Sequence, residues 1–402
     1  MKRAAILLAV LLASPAWAAD QWNALSLGGS GPTWSSPVGC YPAGVYEVCV
    51  RLVTTTYTSS IKQIDFTTPT SPTVGTFSIP TLLNTDYVLL YGGDSSTIFV
   101  GGAISDGFDL QHASMPLSGT PSWTRDASHA TGDNTGTAYL GRVYASGLDA
   151  TYPWTVGYAF HDYNNTVDRV GACNFKIGSF ATSGCVYFTG GGIANFNSGL
   201  RYSSGALAGG LYGYMGRINN GTRAGSTSLS AANKYAATGT LTSGTTKPAF
   251  GYTGNGTWTF GTGMNGSDTT IWGMNGSANS YQIDVTIASK TLVPGADCDP
   301  TGSLRRAWWF STDGKAYRTN NASPTTVAAD TTYDIPSGSL GGGSVNAVTC
   351  DRDMNGDSRS DLLVTLTTGN AVWFGSAPSS GGPRAPARKV TGPFNNLPFR
   401  GP

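Results

Sequence analysis

Short apolar or aromatic runs separated by polar turns make up most of this chain. A typical example is the run Tyr87–Tyr91, which is followed by the turn Gly92–Ser96 and a second run over Thr97–Val100. Almost no window has apolar residues at the i, i+3, i+4 and i+7 positions of an amphipathic helix. The pattern therefore predicts an all-β protein built from short hairpins.

Five Asn-Gly pairs support the hairpin prediction. Both residues tolerate positive φ, so Asn-Gly is a strong signal for a two-residue hairpin turn. The pairs begin at Asn220, Asn255, Asn265, Asn275 and Asn355. The segment Gly263–Ser267 also recurs ten residues later as Gly273–Ser277, and this spacing predicts an antiparallel meander.

A longer repeat appears in the last third of the chain. Cys298 and Cys350 lie 52 positions apart, and each precedes an aspartate, a glycine-bearing loop and a hairpin of similar length. The other hairpins recur at about forty to sixty residues, which is the length of a four-stranded propeller blade. We expect a β-propeller of about seven blades over residues 20–375. Two β-sandwich domains or a parallel β-helix are the alternative architectures.

The amino-terminal residues have the organisation of a secretory signal. Lys2 and Arg3 precede an apolar run over residues 4–13, and Ala16-Trp17-Ala18 has the small-x-small pattern of a cleavage site. An uncleaved anchor is the alternative, but the apolar run is shorter than the roughly 20 residues of a spanning helix. We expect a signal peptide over residues 1–19 and a secreted protein without a membrane span, in the periplasm, at the cell surface or outside the cell.

The other end of the chain differs in composition from the rest. After Phe374 the sequence becomes rich in Pro, Gly and Arg. Such a composition is typical of a loosely ordered tail or of a segment that lies along a domain surface. We expect a carboxyl-terminal tail over residues 376–402.

Charge is scarce and almost balanced. Charged residues make up 12% of the chain and the formal net charge is +1, which falls to about −1 without Lys2 and Arg3. No basic face is available to hold phosphates, so nucleic acid is not an expected partner. Glu47 is the only glutamate; the other acidic residues are aspartates, which favour turns, caps and metal loops.

The six cysteines fit three disulfides in an oxidising compartment. They fall into three pairs that are close in sequence or in the repeat, although six cysteines allow fifteen pairings. The pairs are Cys40 with Cys49, Cys173 with Cys185, and Cys298 with Cys350. A zinc site is the alternative, but the chain contains no C-x-x-C motif and only three histidines, His112, His129 and His161.

The segment Asp353–Asp361 has oxygen-bearing side chains at alternate positions, just before the predicted strand Leu362–Thr365. Ca²⁺ takes six to eight oxygen ligands at about 2.3–2.6 Å, and alternate spacing lets one short loop surround the ion. The predicted ligands are the side chains of Asp353, Asn355, Asp357 and Asp361 and the carbonyl of Arg359.

This loop has two alternative interpretations. An EF-hand starting at Asp351 would have Leu362 at position twelve, where a bidentate glutamate is expected, and would continue into a helix. An aspartate-rich turn without metal is the second alternative. If Ca²⁺ binds, we expect a structural ion that neutralises clustered carboxylates and holds one blade.

This loop resembles the calcium loop of FG-GAP/VCBS-type repeats of integrin-α-like β-propellers, which read Asp-x-Asn/Asp-Gly-Asp-Gly-x-x-Asp-Leu. The matching residues are Asp353, Asn355, Gly356, Asp357, Asp361 and Leu362, while Ser358 replaces a glycine. Phe374-Gly375 and Ala377-Pro378 are similar to the residues that name the repeat. The resemblance covers Cys350–Phe374 and implies a propeller with an adhesive or ligand-binding role. The earlier copy keeps Asp299 and Gly302 without the ligand series, and we expect no metal there.

Three functions fit these observations. A binding module for carbohydrate or a surface protein suits aromatic and Asn side chains in turns, and we favour it. Tyr214 and Trp258 lie near such turns, whereas we expect Trp308, Trp309 and Trp373 to pack between blades.

A secreted polysaccharide hydrolase is the second function. It would need two carboxylates flanking the bond, and Glu47 lies awkwardly inside the Cys40–Cys49 hairpin. No nucleophile motif accompanies a histidine. A self-assembling structural subunit of a surface fibre or layer is the third.

Overall fold

The computed structural model describes most of the chain between residues 21 and 375. The described ranges are 21–27, 40–53, 58–69, 71–82, 90–104, 107–126, 129–130, 135–145, 153–162, 167–189, 200–203, 206–211, 214–219, 235–236, 250–252, 258–265, 267–275, 283–298, 306–320, 326–350, 353–354 and 359–375. The predicted signal peptide and the predicted tail over residues 376–402 lie outside them.

Short strands account for almost all regular structure in these ranges, as the alternating pattern predicts. The first strand is β1 (Gln21–Leu25). The next strands are β2 (Cys40–Ala43), β3 (Tyr46–Val53), β4 (Thr58–Asp65), β5 (Thr73–Ser78), β6 (Leu90–Gly93), β7 (Thr97–Ile104), β8 (Gly107–Ser114), β9 (Thr124–Arg125), β10 (His129–Ala130), β11 (Thr135–Ala145), β12 (Trp154–Asp162), β13 (Val167–Lys176) and β14 (Ser179–Thr189). The second half contains β15 (Leu200–Ser203), β16 (Ala206–Leu211), β17 (Tyr214–Asn219), β18 (Tyr235–Ala236), β19 (Phe250–Tyr252), β20 (Trp258–Asn265), β21 (Asp268–Asn275), β22 (Ile283–Ile287), β23 (Leu292–Cys298), β24 (Arg306–Ser311), β25 (Ala316–Thr319), β26 (Val327–Ala329), β27 (Val345–Thr349), β28 (Leu362–Leu366) and β29 (Ala371–Gly375).

Helix is confined to one connection in the described ranges. A 3₁₀ turn over Thr331–Tyr333 precedes a single helical turn, α1 (Ser337–Leu340). No helix in these ranges has the length and apolar character needed to cross a bilayer.

The strands form seven antiparallel blades in the part of the chain that the structure describes. Five sheets have four strands, and a nine-stranded sheet combines two further blades that are joined by parallel pairing of β6 with β11. Blade 1 is β2–β5, blade 2 is β6–β10, blade 3 is β11–β14, blade 4 is β15–β18, blade 5 is β19–β22, blade 6 is β23–β26, and blade 7 is β27–β29 with β1. In blade 2 the fourth position is divided between β9 and β10, which both pair with β8.

The first strands of consecutive blades lie side by side, so the blades follow one another around a ring. These strands are β2, β6, β11, β15, β19, β23 and β27. The predicted β-propeller of about seven blades is therefore confirmed. The two-sandwich alternative is wrong, because each sheet packs against both of its neighbours instead of against one partner.

Each blade buries both faces, and alternate residues of one strand serve opposite neighbours. In β24, Trp308 and Phe310 pack toward blade 7, whereas Ala307 and Trp309 pack toward blade 5. Trp308, Trp309 and Trp373 are at most 1% exposed. The prediction that these tryptophans serve blade packing is confirmed.

The ring closes by pairing the two ends of the propeller. Strand β1 lies antiparallel to β29, with Gln21 opposite Gly375 and Leu25 opposite Ala371, so it is the outer strand of blade 7. The seam between blade 7 and blade 1 is filled by a cluster of apolar side chains from both blades. This cluster contains Leu25, Leu27, Cys40, Cys49, Ile64, Phe66, Met354, Leu363, Ala371 and Trp373.

Polar clamps complement the apolar packing at the first two joints. The Gln63 carboxamide accepts the Leu117 N–H at 2.7 Å and donates to the Leu117 carbonyl at 3.3 Å, which ties blade 1 to blade 2. The Asp126 carboxylate accepts the Gly178 N–H at 2.9 Å and lies 2.9 Å from Nδ1 of His112. This second clamp joins blade 2 to the β13–β14 turn of blade 3.

The cysteines follow the predicted pairs as far as the structure describes them. Cys40 and Cys49 form a disulfide across the β2–β3 hairpin. Cys173 and Cys185 lie directly opposite each other in the β13–β14 register. Cys350 is disulfide-bonded; its pairing with Cys298 stays a prediction.

Candidate functional site

The antiparallel order of the blades sorts their loops onto two faces. Loops that follow the second and fourth strands lie on one side of the ring, here called the upper face. Loops that follow the first and third strands lie on the other side, the lower face. The two faces carry different chemistry in the described residues.

On the upper face, the loops of blades 5 to 7 are tied to one another by side chains. Asp268 accepts the Ser289 N–H at 2.7 Å, and the Lys290 ammonium lies 2.6 Å from the Asp313 carboxylate. The next links join Lys315 to Asp334 at 3.0 Å and the Ser344 N–H to the Thr367 hydroxyl at 2.9 Å. We call these loops, residues 288–291, 312–315, 330–344 and 367–370, the cross-tied loops.

Aspartates also fix the backbone of the longest cross-tied loop. Asp334 accepts the Ala316 N–H at 2.9 Å, and Asp330 caps the 3₁₀ turn by accepting the Thr332 N–H at 3.2 Å. Asp330 also accepts from Arg318 at 2.5 Å, and that guanidinium lies 5.6 Å from the centre of the Trp308 ring. Each of these carboxylates therefore holds backbone and a cation together.

The ion pairs leave little free charge on these loops. Burial alone would raise the pKa of Asp313, but hydrogen bonds from Lys290 and Ser311 lower that pKa below its ordinary value. The hydrogen bond to Asp313 raises the pKa of Lys290. Lys290, Lys315 and Arg318 each pair with an aspartate. A ligand of this surface would meet hydrogen-bonding groups more than net charge.

The predicted calcium loop lies on the lower face, between the first and second strands of blade 7. Its last residue, Asp361, is 3% exposed, and its Oδ2 accepts the Met354 N–H at 2.6 Å. The following segment is β28. The prediction that a strand and not a helix follows the loop is therefore confirmed.

A glycine makes room for the Asp361 carboxylate. A Cβ atom built on Gly375 would lie 2.2 Å from Oδ1 of Asp361 and 3.0 Å from its Cγ. No side chain fits at position 375 while the carboxylate occupies this place. The Phe-Gly sequence at the end of β29 thus has a direct physical reason.

The same loop contacts the first blade. The buried Met354 side chain packs with the Cys40–Cys49 disulfide and with Phe66 of blade 1. Asp361 contacts Met354 on one side and Gly375 on the other. It therefore lies where the loop, strand β29 and blade 1 meet.

Three of the five predicted calcium ligands belong to the described residues. Asp353 is half-buried, Arg359 is exposed and Asp361 is buried, whereas Asn355 and Asp357 lie outside the described ranges. Within those ranges, no three His, Cys, Asp or Glu side chains are grouped closely enough to hold a metal. The donors of the complete loop are all oxygens, and a buried carboxylate closes it, which fits Ca²⁺.

The repeat of the two cysteine segments is visible in the fold. Strand β23 ends at Cys298, and β27 ends one residue before Cys350. Both cysteines therefore open the loop between the first and second strands of their blades. Residues 299–305, which include Asp299 and Gly302, lie outside the described ranges.

The residues considered for hydrolysis lie on four different strands, β3, β8, β10 and β12. Glu47 lies within β3 and is 2% exposed, so it faces the interior of the ring wall. His129 lies in β10, and His161 stands opposite Asp168 in the β12–β13 register. The His112–Asp126 pair was missed from the sequence, because 14 positions separate the residues and no motif marks them.

The sequence allows two roles for the aromatic residues near turns, packing between blades or ligand binding. Tyr214 is the first residue of β17 and Trp258 is the first residue of β20. Both therefore lie at strand ends.

Comparisons with known proteins define the class of fold. No family profile and no curated protein matches this sequence. Solved structures do match: the WD40 domain of Toxoplasma gondii coronin is 12% identical with a TM-score of 0.54, over 91% of this chain and 89% of that one. The Neurospora crassa Pan2 WD40 domain is 9% identical with a TM-score of 0.51, over 89% and 96% of the two chains.

A chain of a mitotic checkpoint complex is a third neighbour, with 11% identity and a TM-score of 0.52 over 92% of this chain and 98% of that one. At such identities these matches show a shared fold alone. The protein is a β-propeller.

Proposed function

We propose that this protein is a secreted, calcium-binding β-propeller that acts as an adhesion, carbohydrate-binding or protein-interaction module on or near a bacterial surface. The ligand binds the upper face, and the calcium loop on the lower face holds the ring closed. The two roles are physically separate in this proposal.

The cross-tied loops are the observation that carries the binding role. Four side-chain links run from blade 5 to blade 7, so these loops are already ordered before a ligand arrives. Preorganised loops lose less conformational entropy on binding, which leaves more of the contact energy as affinity. Their paired charges suit a neutral, hydrogen-bonding ligand such as a glycan or a polar protein surface.

The Asp361 site supports the calcium role. A buried carboxylate costs free energy unless its charge is compensated, and the Met354 N–H compensates one oxygen. A divalent ion held by Asp353, Asn355, Asp357, Asp361 and the Arg359 carbonyl would offset the mutual repulsion of the carboxylates in this loop. The ion would supply electrostatic neutralisation only.

The alternative of a polysaccharide hydrolase receives no support from Glu47. A glycosidase carboxylate must flank the bond that it cleaves. The Glu47 side chain is only 2% exposed, so it cannot reach a polymer. A hydrolase would have to use aspartates alone.

A glycan array and a panel of surface proteins, probed with the purified protein, test the binding role. Asp334→Ala frees the Ala316 N–H and Lys315 on the upper face, and we expect it to weaken binding. Asp94→Ala is a matched control, because Asp94 accepts the Ser96 and Thr97 N–H groups in a lower-face turn. Loss of binding in the Asp94 variant alone, or release of reducing ends from a polysaccharide panel, would contradict the proposal.

A further inference from the structure

We propose that β1 is an exchangeable closing strand, and that the outer edge of β29 is a docking site for the same segment of a second copy of this chain. The occupant is the segment Gln21–Leu27. The inference does not depend on calcium or on a ligand of the upper face.

The docking site has two sets of anchors. On one side Trp22 inserts between Phe310 and Phe374, with ring centres 5.6 and 5.3 Å away, and its Nε1–H donates to the Tyr333 carbonyl at 3.2 Å. On the other side Leu25 and Leu27 are buried in the seam toward blade 1. Trp22, Leu25 and Leu27 are therefore the side chains that hold the segment in its site.

The backbone of β1 is attached along one edge. Within the described residues its only strand partner is β29, through five residue pairs, and the Asn23 amide adds a hydrogen bond to the Gly375 carbonyl at 3.1 Å. Gln21, Ala24 and Ser26 are exposed. A short strand that is paired along only one edge opens at a lower free energy than the whole ring.

When β1 detaches, the edge of β29 and the slot that held Trp22 become accessible. The edge of β29 then presents unpaired N–H and C=O groups, which are a template for another strand. The slot between Phe310 and Phe374 fits the Trp22 ring, so it favours a segment with an aromatic residue in the same register. A second copy supplies that segment with identical contacts.

The connection to blade 1 permits the exchange. Residues 28–39 separate Leu27 from β2, and this stretch consists mainly of Gly, Ser, Pro and Thr. Twelve residues reach about 40 Å when extended. Because the contacts of the closed and exchanged forms are the same, the connection and the protein concentration decide between them. Reciprocal exchange gives a dimer, and open-ended exchange gives a filament.

Cysteine trapping tests the exchange directly. Ala24 stands opposite Val372 in the β1–β29 register. One chain carries Ala24→Cys alone and another carries Val372→Cys alone; the described residues contain no free native cysteine. The two chains are mixed at rising concentration and oxidised. We expect a disulfide-linked heterodimer on non-reducing gels whose fraction rises with concentration.

The matched control is the double variant Ala24→Cys/Val372→Cys, in which the strand is locked to its own ring and should remain a monomer. Light scattering of the unmodified protein at the same concentrations is a second measurement, and a concentration-dependent dimer or larger species is expected. If the mixed chains keep titratable thiols and stay monomeric while the unmodified protein also stays monomeric, the exchange proposal is wrong.

Discussion

Replacement of Gly375 by alanine should displace the Asp361 carboxylate at the end of the predicted calcium loop. The new Cβ would lie 2.2 Å from Oδ1 of Asp361 and 2.7 Å from Cζ3 of Trp373, and both side chains are almost fully buried. Overpacking of this kind costs about 1–3 kcal/mol. If the carboxylate moves away, the buried Met354 N–H loses its acceptor, which costs about another 1–3 kcal/mol. We therefore expect Gly375→Ala to lower the free energy of unfolding by about 2–6 kcal/mol.

Urea unfolding followed by tryptophan fluorescence measures this cost, since Trp373 lies beside the substituted position. Gly338→Ala is the control, because a Cβ at Gly338 has no neighbour within 4 Å, and its stability should be nearly unchanged. In an Asp361→Ala background the carboxylate is absent and only the Trp373 contact remains, so Gly375→Ala should cost at least about 1 kcal/mol less than in the natural protein. Equal costs in the two backgrounds would refute the proposed contact.

Three further changes test other parts of the ring. Gln63→Ala leaves the Leu117 N–H and carbonyl without the Gln63 carboxamide between blades 1 and 2. We expect the free energy of unfolding, measured in urea, to fall by about 1–3 kcal/mol. Thr76→Ser, at an exposed position, is the control and should leave the free energy of unfolding unchanged. Trp22→Ala removes the aromatic anchor of β1, so amide hydrogen exchange over residues 21–25 should accelerate, whereas Ser26→Ala should leave it unchanged; equal protection in both would contradict the anchoring. Burial alone would raise the pKa of Asp330, but Arg318 lowers it, so this carboxylate stabilises the fold above its unfolded pKa of about 3.9 and loses that effect as pH falls through its lower folded pKa. The difference in melting temperature between the natural protein and Asp330→Asn should be complete at neutral pH and shrink below about pH 4; a difference that is constant with pH would count against the Arg318–Asp330 pair.

The hairpins and their packing could be predicted because local chemistry determines them. Asn265-Gly266 predicts a tight turn, and Asn265 stands opposite Asp268 across that turn. The sequence Ala307-Trp308-Trp309-Phe310 alternates between two neighbours in β24, and an uninterrupted apolar run is typical of a strand buried on both faces. The repeat of the cysteine segments gave the length of a blade, and the number of blades followed from it.

The closure of the ring could not be predicted, because it depends on residues at opposite ends of the chain. Nothing in Gln21–Leu25 distinguishes an outer strand of blade 7 from an outer strand of blade 1. The clamps at Gln63 and Asp126 also depend on how the blades pack, since each side chain binds a backbone group of the next blade. The aspartate that caps the 3₁₀ turn at Thr331–Tyr333 lies in a stretch without a helical apolar pattern.

The candidate calcium loop was predicted in position but not in its contacts. The ligand spacing indicates a loop before a strand, and Asp361 does stand at the start of β28. The place of Gly375 against that carboxylate depends on the β28–β29 pairing, and the contact of Met354 with blade 1 depends on ring closure. Neither is local in sequence.

Thermal unfolding with and without Ca²⁺ is the most direct test of the account, because an ion that binds the folded ring raises its stability by mass action, by about 2.7 kcal/mol at a concentration one hundred times the dissociation constant. We predict that Ca²⁺ raises the melting temperature of the natural protein, that EGTA reverses the rise, and that Asp361→Asn abolishes it while Asp313→Asn retains it. A folded protein whose melting temperature is the same in Ca²⁺ and in EGTA would contradict the calcium-closed ring.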